Sequence, residues 1–203
     1  NLAAVILQML TLKLGDIQEF PFVQRPDQKQ INDGYALLFE LGAVDKNRHI
    51  TQLGKQLSRF PVDLRFSRML VAAGQTGCLE EMLIIASALS IQDPRERPFE
   101  HQQASDEKHR RYWDEKSDFL AMVNLWRGFE EQRQNLSQSR LRRYCRENFL
   151  SFIRMREWRE IHRQLLLICK EFGLKVNREP AAYAPIHRAV ITGLLGYVAQ
   201  KTA

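Results

Sequence analysis

The sequence predicts a mostly α-helical protein, on three observations. Apolar residues recur three and four positions apart along most of the chain, glycine or proline separates the successive runs, and only one short segment, 43–51, reads as strand. Residues 2–14 place Leu2, Ile6, Leu10 and Leu14 four apart, with Val5, Met9 and Leu12 filling the same side, and Gly15-Asp16 ends that helix. Phe20-Pro21-Phe22 is extended, because proline restricts its neighbours, and Pro26-Asp27 then offers a helix start. The second helix runs to about Leu41 with Ile31, Tyr35, Leu38 and Leu41 on one face, and Gly42 fits its stop.

The run 43–51 reads as two very short strands around a polar turn, and a third helix follows over about 51–60. Helix, helix, small β-hairpin, helix predicts a winged-helix-like module. The usual order places the hairpin after the third helix, so the pattern is either a variant of that module or a different arrangement. After Pro61 the pattern is helical almost throughout, and a helical bundle is expected. Helices are predicted over 64–76 and 79–91, then a proline-broken polar connection over 93–104. Ser105 is expected to cap one long helix over about 106–133, with Trp113, Phe119, Leu120, Val123 and Trp126 on its apolar side. A shorter helix over 137–146 and a longer one over 149–172, closed by Gly173, precede a final helix from Tyr183 to Gln200. No internal repeat is evident.

With 203 residues, 44% of them hydrophobic, the chain can bury a core and form one large or two small domains. Its net charge of +6 is unevenly spread. Residues 1–132 carry 16 basic and 19 acidic groups, whereas residues 133–203 carry 14 basic against 5 acidic, a net of +9. That asymmetry points to a polyanionic partner, most simply nucleic acid. Cys78, Cys145 and Cys169 lie far apart and form no CxxC pair, so neither a disulfide framework nor a zinc knuckle is indicated and a reducing compartment fits. The longest apolar runs fall well short of the ~20 residues a membrane span needs, which points to a cytoplasmic protein with no membrane partner. The chain opens at Asn1 inside an apolar-periodic stretch, without an initiator methionine or a polar cap, and reads as an excised piece of a longer protein.

The 149–172 segment separates into two stripes when projected at 100° per residue. Arg156, Arg159, Arg163 and Lys170 fall on one narrow face, and Met155, Trp158, Ile161, Leu165, Ile168 and Phe172 on the opposite side. Such a helix packs into a bundle while holding a row of cations outward, with Arg156 and Arg163 roughly 10 Å apart at ~1.5 Å rise per residue. That geometry suits the phosphates of a single strand, which are gripped without reading sequence. Arg140, Arg142, Arg143 and Arg146 add charge nearby, and Tyr144, Phe149, Phe152 and Trp158 interleave aromatics. The competing reading is a solvated arginine-rich face balanced by Glu147, Glu157 and Glu160. Between Arg133 and Arg163 there are nine arginines and no lysine, which favours planar bidentate phosphate contacts.

For catalysis the sequence is poor. No GxxxxGK[ST] phosphate loop occurs, since Gly54-Lys55 lacks both the upstream glycine and the following hydroxyl, and neither HExxH nor paired Cys/His ligand spacing is found. Asp114, Glu115 and Asp118 could be posed as the carboxylate cluster of an independent hydrolase, but on a highly charged helix start such groups read as solvated surface. His162 and Cys169, seven apart with no residue to orient a base, read as packing groups.

With these residues in view, the chain resembles the C-terminal auxiliary region of DEAH-box ATP-dependent RNA helicases, of the bacterial HrpA type. The resemblance covers nearly the whole chain. It runs from Asn1-Leu2-Ala3 through Leu41-Gly42-Ala43-Val44-Asp45, Leu53-Gly54 and Phe60-Pro61-Val62-Asp63-Leu64. It continues through Gly77-Cys78-Leu79-Glu80-Glu81 with Ile84-Ile85-Ala86, then Asp93-Pro94-Arg95-Glu96-Arg97-Pro98, and reaches Cys145-Arg146-Glu147-Asn148-Phe149 and Gln164-Leu165. Tyr144 stands where many relatives have tryptophan and Arg154 where eukaryotic relatives often have serine. His162 takes the place of an arginine, leaving that contact to Arg163 or Arg159. The resemblance implies a winged-helix domain at 1–66 and a helical ratchet-like domain at 67–203, packed in the parent on RecA-like motor domains that bind ATP and Mg and are absent from this chain. An oligonucleotide-binding barrel would follow it. It implies no catalytic residue, cofactor or metal in this segment, and an accessory role as one wall of a single-stranded RNA channel coupled to the motor. Asn148 and Arg154 join Arg156, Arg159, Arg163 and Lys170 as expected RNA contacts because they lie in or beside the family's ENF signature. A protein-interaction scaffold, docking a partner without touching nucleic acid, is the alternative.

Overall fold

The computed structural model describes residues 2–199; Asn1 and 200–203 lie outside the described residues, and with them the expectations for the chain's opening residue and for the end of the last helix. The helices run α1 (Leu2–Leu12), α2 (Gln28–Glu40), α3 (Gln52–Leu57), α4 (Leu64–Thr76), α5 (Leu79–Leu89), α6 (Gln102–Arg110), α7 (Asp118–Asn135), α8 (Gln138–Glu147), α9 (Phe152–Glu171) and α10 (Tyr183–Ile191). The chain divides into two compact units, one of the residues up to Leu79 together with those from Ile168 onward, the other of Glu80–Leu167.

In the first unit α1 packs on α2, and α4 on α3 and α10. Ile6, Leu7, Leu38, Leu41, Leu57, Met69 and Ile186 are buried. The starts are capped as the sequence chemistry demands. The Asp27 carboxylate accepts from Gln30 N while the Gln30 side chain accepts from Asp27 N, a reciprocal capping box, and Thr51 and Asp63 accept from the first turns of α3 and α4. Gly77, at φ +73°, closes α4 in the left-handed conformation.

The expected β-hairpin reduces to a single antiparallel bridge between Val44 and Ile50. Asp45 Oδ1 accepts from both Asn47 N and His49 N at 2.8 Å, so the turn consumes five of the residues that would have extended the strands. On either side Gly42 (φ +72°) ends α2 and Thr51 already caps α3, which leaves only one residue pair to face across. Thr51 Oγ1 ties the two sides by donating to Gly42 O at 2.7 Å.

The second unit holds α6, α7, α8, α5 from Glu80 and α9 as far as Leu167. The single helix expected over 106–133 is two. Ser105 does not cap it but lies buried inside α6, donating to Gln102 O. The chain leaves the helix at Arg111, Asp114 Oδ1 accepts from Lys116 N in a local turn, and Ser117 restarts the helix by accepting from Leu120 N. Short polar side chains that bond their own backbone outcompete the helix here although the apolar spacing continues. A second isolated bridge, Arg95 to Leu150, joins 94–96 to 149–151 through Glu96 N to Phe149 O and Ser151 N to Pro94 O, both 2.8 Å. The last helix stops at Ile191, with a short 3₁₀ turn at Leu195–Tyr197 beyond it.

The approach of α3 to the preceding loop requires a residue without a side chain: a Cβ at Gly54 would collide with the carbonyl oxygen of Ala43, itself bonded to Thr51 N. Gly54→Ala is expected to destabilise the protein by about 1–3 kcal/mol in urea denaturation followed by circular dichroism. Gln52→Ala, on the exposed side of the same helix, is expected to leave the midpoint near that of the native chain.

Candidate nucleic-acid interface

Helix α9 is fixed by its apolar stripe. Met155, Trp158 and Leu165 are fully buried, and the Trp158 indole Nε1 donates to Ile84 O and to Ser87 Oγ, both at 3.0 Å. Ser87 Oγ in turn donates to Leu83 O and Ile84 O, so the only polar atom of this large ring is satisfied inside the core. The Trp126 ring of α7 leans on Trp158 with centroids 5.2 Å apart, and His162 lies against the same Trp126 ring, centroids 4.6 Å apart at 30°.

With that side fixed, Arg156 and Arg163 are exposed and Arg159 half-buried on the opposite face. They line an open groove of about 820 Å³ together with Trp126, His162, Leu166 and three carboxylates. The cations are therefore not a bare row. Arg159 Nε lies 2.6 Å from Glu130 Oε1, a contact of charge rather than a well-directed hydrogen bond, while Arg133 Nε donates to the other oxygen of Glu130 at 2.9 Å. Arg163 donates through Nε and Nη2 to the Glu160 carboxylate, which stays below its ordinary range chiefly because of that bond. Arg156 makes no ion pair among the described residues. Lys170, also exposed, lies three residues into the part of α9 that belongs to the first unit.

Two of the expected contacts stand apart from this face. Asn148 is only 7% exposed and closes α8. Its Oδ1 accepts from Arg111 Nη2 at 3.0 Å and its Nδ2 donates to Tyr144 O at 2.7 Å. Arg111 also donates to Tyr144 OH, which bonds Tyr112 OH, and the guanidinium lies over the Tyr112 ring at 4.6 Å. His109 Nε2 donates to the carbonyls of Asn148 and Phe149, supporting the positive φ of +52° at Phe149. Arg154 is half-buried and donates to Asp93 O at 2.9 Å, holding the segment that pairs with 150. Both residues therefore bind the chain to itself.

The posed carboxylates have structural positions too. Asp114 shapes the turn before α7, and Asp118 opens that helix, where a negative charge faces the helix dipole favourably. Among the described residues no group of three or more His, Cys, Asp or Glu could hold a metal ion, and no helix is long and apolar enough to cross a membrane. Burial pushes the Cys145 thiol up to about 11 and the Cys169 thiol up to about 12, so both stay protonated and act as core residues.

Sequence periodicity missed Trp126, His162 and Glu130 as groove residues. The recurrence of Trp126 and Trp158 on facing apolar stripes was the available signal, but it reads as core; only packing shows that one of the two rings also borders the groove.

Two family models match consecutive segments of the chain. Residues 35–62 match the winged-helix part, and 63–122 the ratchet-like part, of the helicase-associated domain (HA2). Among curated proteins it is 54% identical, over its whole length, to the ATP-dependent RNA helicase HrpA of Escherichia coli and 51% identical to the HrpA homolog of Haemophilus influenzae. A probable ATP-dependent RNA helicase DHX35 of Pongo abelii is 28% identical over 98% of the chain. The chain spans 16% of the length of each bacterial relative and 27% of the third.

His162 provides a test of the packing around the groove. Burial pushes its imidazole from 6.5 down to about 4, with Glu130 opposing the shift and Arg159 adding to it. The unfolded chain therefore takes up this proton first as pH falls, and stability drops between about pH 6.5 and pH 4, by up to roughly 3 kcal/mol from this group. His162→Phe is expected to flatten that part of the stability profile relative to the native chain in denaturant melts taken between about pH 7 and pH 4.5.

Proposed function

We propose that this chain is the accessory helicase-associated segment of an ATP-dependent DEAH-box RNA helicase, and that the outward face of α9 is a wall along which single-stranded RNA runs by its phosphates. The observation that carries the reading is the exposed pair Arg156 and Arg163, held seven residues apart on a helix whose opposite side is locked by Trp158. Arg156 meets phosphate directly. Arg163 exchanges Glu160 for phosphate at little cost, because solvent screens an exposed ion pair. Arg159, released in part from Glu130, and Lys170 extend the track along the helix. Asn148 and Arg154 serve the same interface by fixing the chain on either side of Phe149 rather than by reaching the strand. Winged-helix and ratchet-like modules at 1–66 and 67–203 transmit the movement of RecA-like motor domains elsewhere in the cytoplasmic parent. ATP and Mg²⁺ belong to those motor domains, and no residue here is assigned to them.

A protein-docking scaffold is favoured by one feature, the three glutamates among the arginines. Fluorescence anisotropy with a labelled single-stranded RNA over a series of salt concentrations separates the two. The native chain is expected to bind with steep salt dependence, and Arg156→Gln/Arg163→Gln to lose affinity and flatten the slope by about 1.4 in log K against log salt, the value for two phosphates of a single strand. Salt-insensitive binding, or an unchanged slope in the folded double variant, would transfer support to the scaffold.

A further inference from the structure

The groove beside α9 contains more than cations. Trp126 and His162 both border it, both are half-buried, and their rings meet face against face at a 30° tilt, centroids 4.6 Å apart. Leu166 borders it as well, and Ile153, 76% exposed, leaves apolar surface open beside Arg156. A groove serving only as a phosphate track has no use for this apolar lining, and solvated arginines do not explain it. Burial keeps His162 uncharged at neutral pH, so neither ring brings a charge of its own to the groove. Glu157 lines the same groove and makes no ion pair among the described residues.

We propose that the Trp126–His162 pair is a stacking ledge for one nucleobase of the RNA strand whose phosphates Arg156 and Arg163 hold. This rests on the RNA reading above and adds where a base goes. The ring surface takes the face of the base, and the Glu157 carboxylate accepts a hydrogen bond from an N–H on its edge. Every RNA base has both a π face and such an N–H, so the ledge binds without selecting sequence. A strand held at both phosphate and base resists sliding more than one held by charge alone, because charge contacts exchange freely along the backbone.

The test compares an unstructured single-stranded RNA with a strand of equal length and charge that is abasic at its central positions. The 203-residue chain is used, its fold checked by circular dichroism, with Trp113→Phe as background so that a fluorescence change reports on Trp126 rather than on the exposed Trp113. The natural strand is expected to quench emission and bind about tenfold more tightly than the abasic one. Trp126→Leu is expected to close that gap while leaving the salt slope unchanged, since stacking releases no counterions. Trp126→Phe, which keeps an aromatic ring against Trp158, is expected to restore most of the preference and guards against loss of fold in the leucine variant. Equal, salt-sensitive binding of natural and abasic strands overturns the ledge and leaves the phosphate track standing. Absence of RNA binding by the native chain overturns both.

Discussion

The orientation of the cationic face of α9 depends on one buried hydrogen-bonded ring. A helix with cations on one face can roll about its axis unless its other face is fixed, and a roll of 100° would turn Arg156 from solvent into the bundle. Trp158 prevents this. Its volume fills the space against α5, and its N–H reaches both Ile84 O and Ser87 Oγ, so rotation would cost packing and two hydrogen bonds together. Ser87 is part of the device, because its hydroxyl is held by bonds to Leu83 and Ile84 and so meets the indole in one orientation. The helix is thereby registered in rotation by its core side, which lets the solvent side be chosen for charge alone.

That charge is moderated, and the moderation has a physical use. Bare arginines on one stripe would repel each other and destabilise the fold. Glu130, lodged between Arg133 and Arg159, and Glu160, paired with Arg163, neutralise part of the field at small energetic cost. The pairs differ in how readily they open. Arg163–Glu160 is well exposed, whereas Glu130 is half-buried between two guanidiniums, where removing one partner leaves the carboxylate with the other. The exposed pair is therefore the exchangeable one, and the Glu130 cluster holds α7 to α9.

The stripes of α9 were legible in the sequence because helical periodicity is a local property: Met155, Trp158 and Leu165 repeat at intervals that only one side of a helix can bury. The resemblance to the helicase-associated family was legible for a different reason, since spaced short motifs survive where overall pattern does not. The break at 111–117 was not, because apolar spacing continues through Trp113 and only Asp114 and Ser117, residues common in many settings, interrupt the helix. Asn148 illustrates the other limit. Its motif neighbourhood marks it as important, but the reason, an amide clamped between Arg111 and Tyr144 O, depends on residue 111, which local reading placed inside a helix.

The same contrast bears on how a strand would be held. Contacts to phosphate are numerous, exchangeable and blind to register, so by themselves they permit sliding in either direction. In the proposed role, coupling to a motor would need something that distinguishes one nucleotide position from the next, and the proposed π surface at a fixed place on a rotationally locked helix would provide it without demanding a particular base. Trp126 contacts both the registered core, through Trp158, and the groove, through His162. A shift of α9 driven from elsewhere in a longer chain would carry the ledge and the arginines together, because Trp126, His162 and Glu130 bind α7 and α9 into one packed pair. On this reading His162, packed on Trp126 and uncharged at neutral pH, holds the ledge in place, and the core that Trp158 organises fixes where it stands.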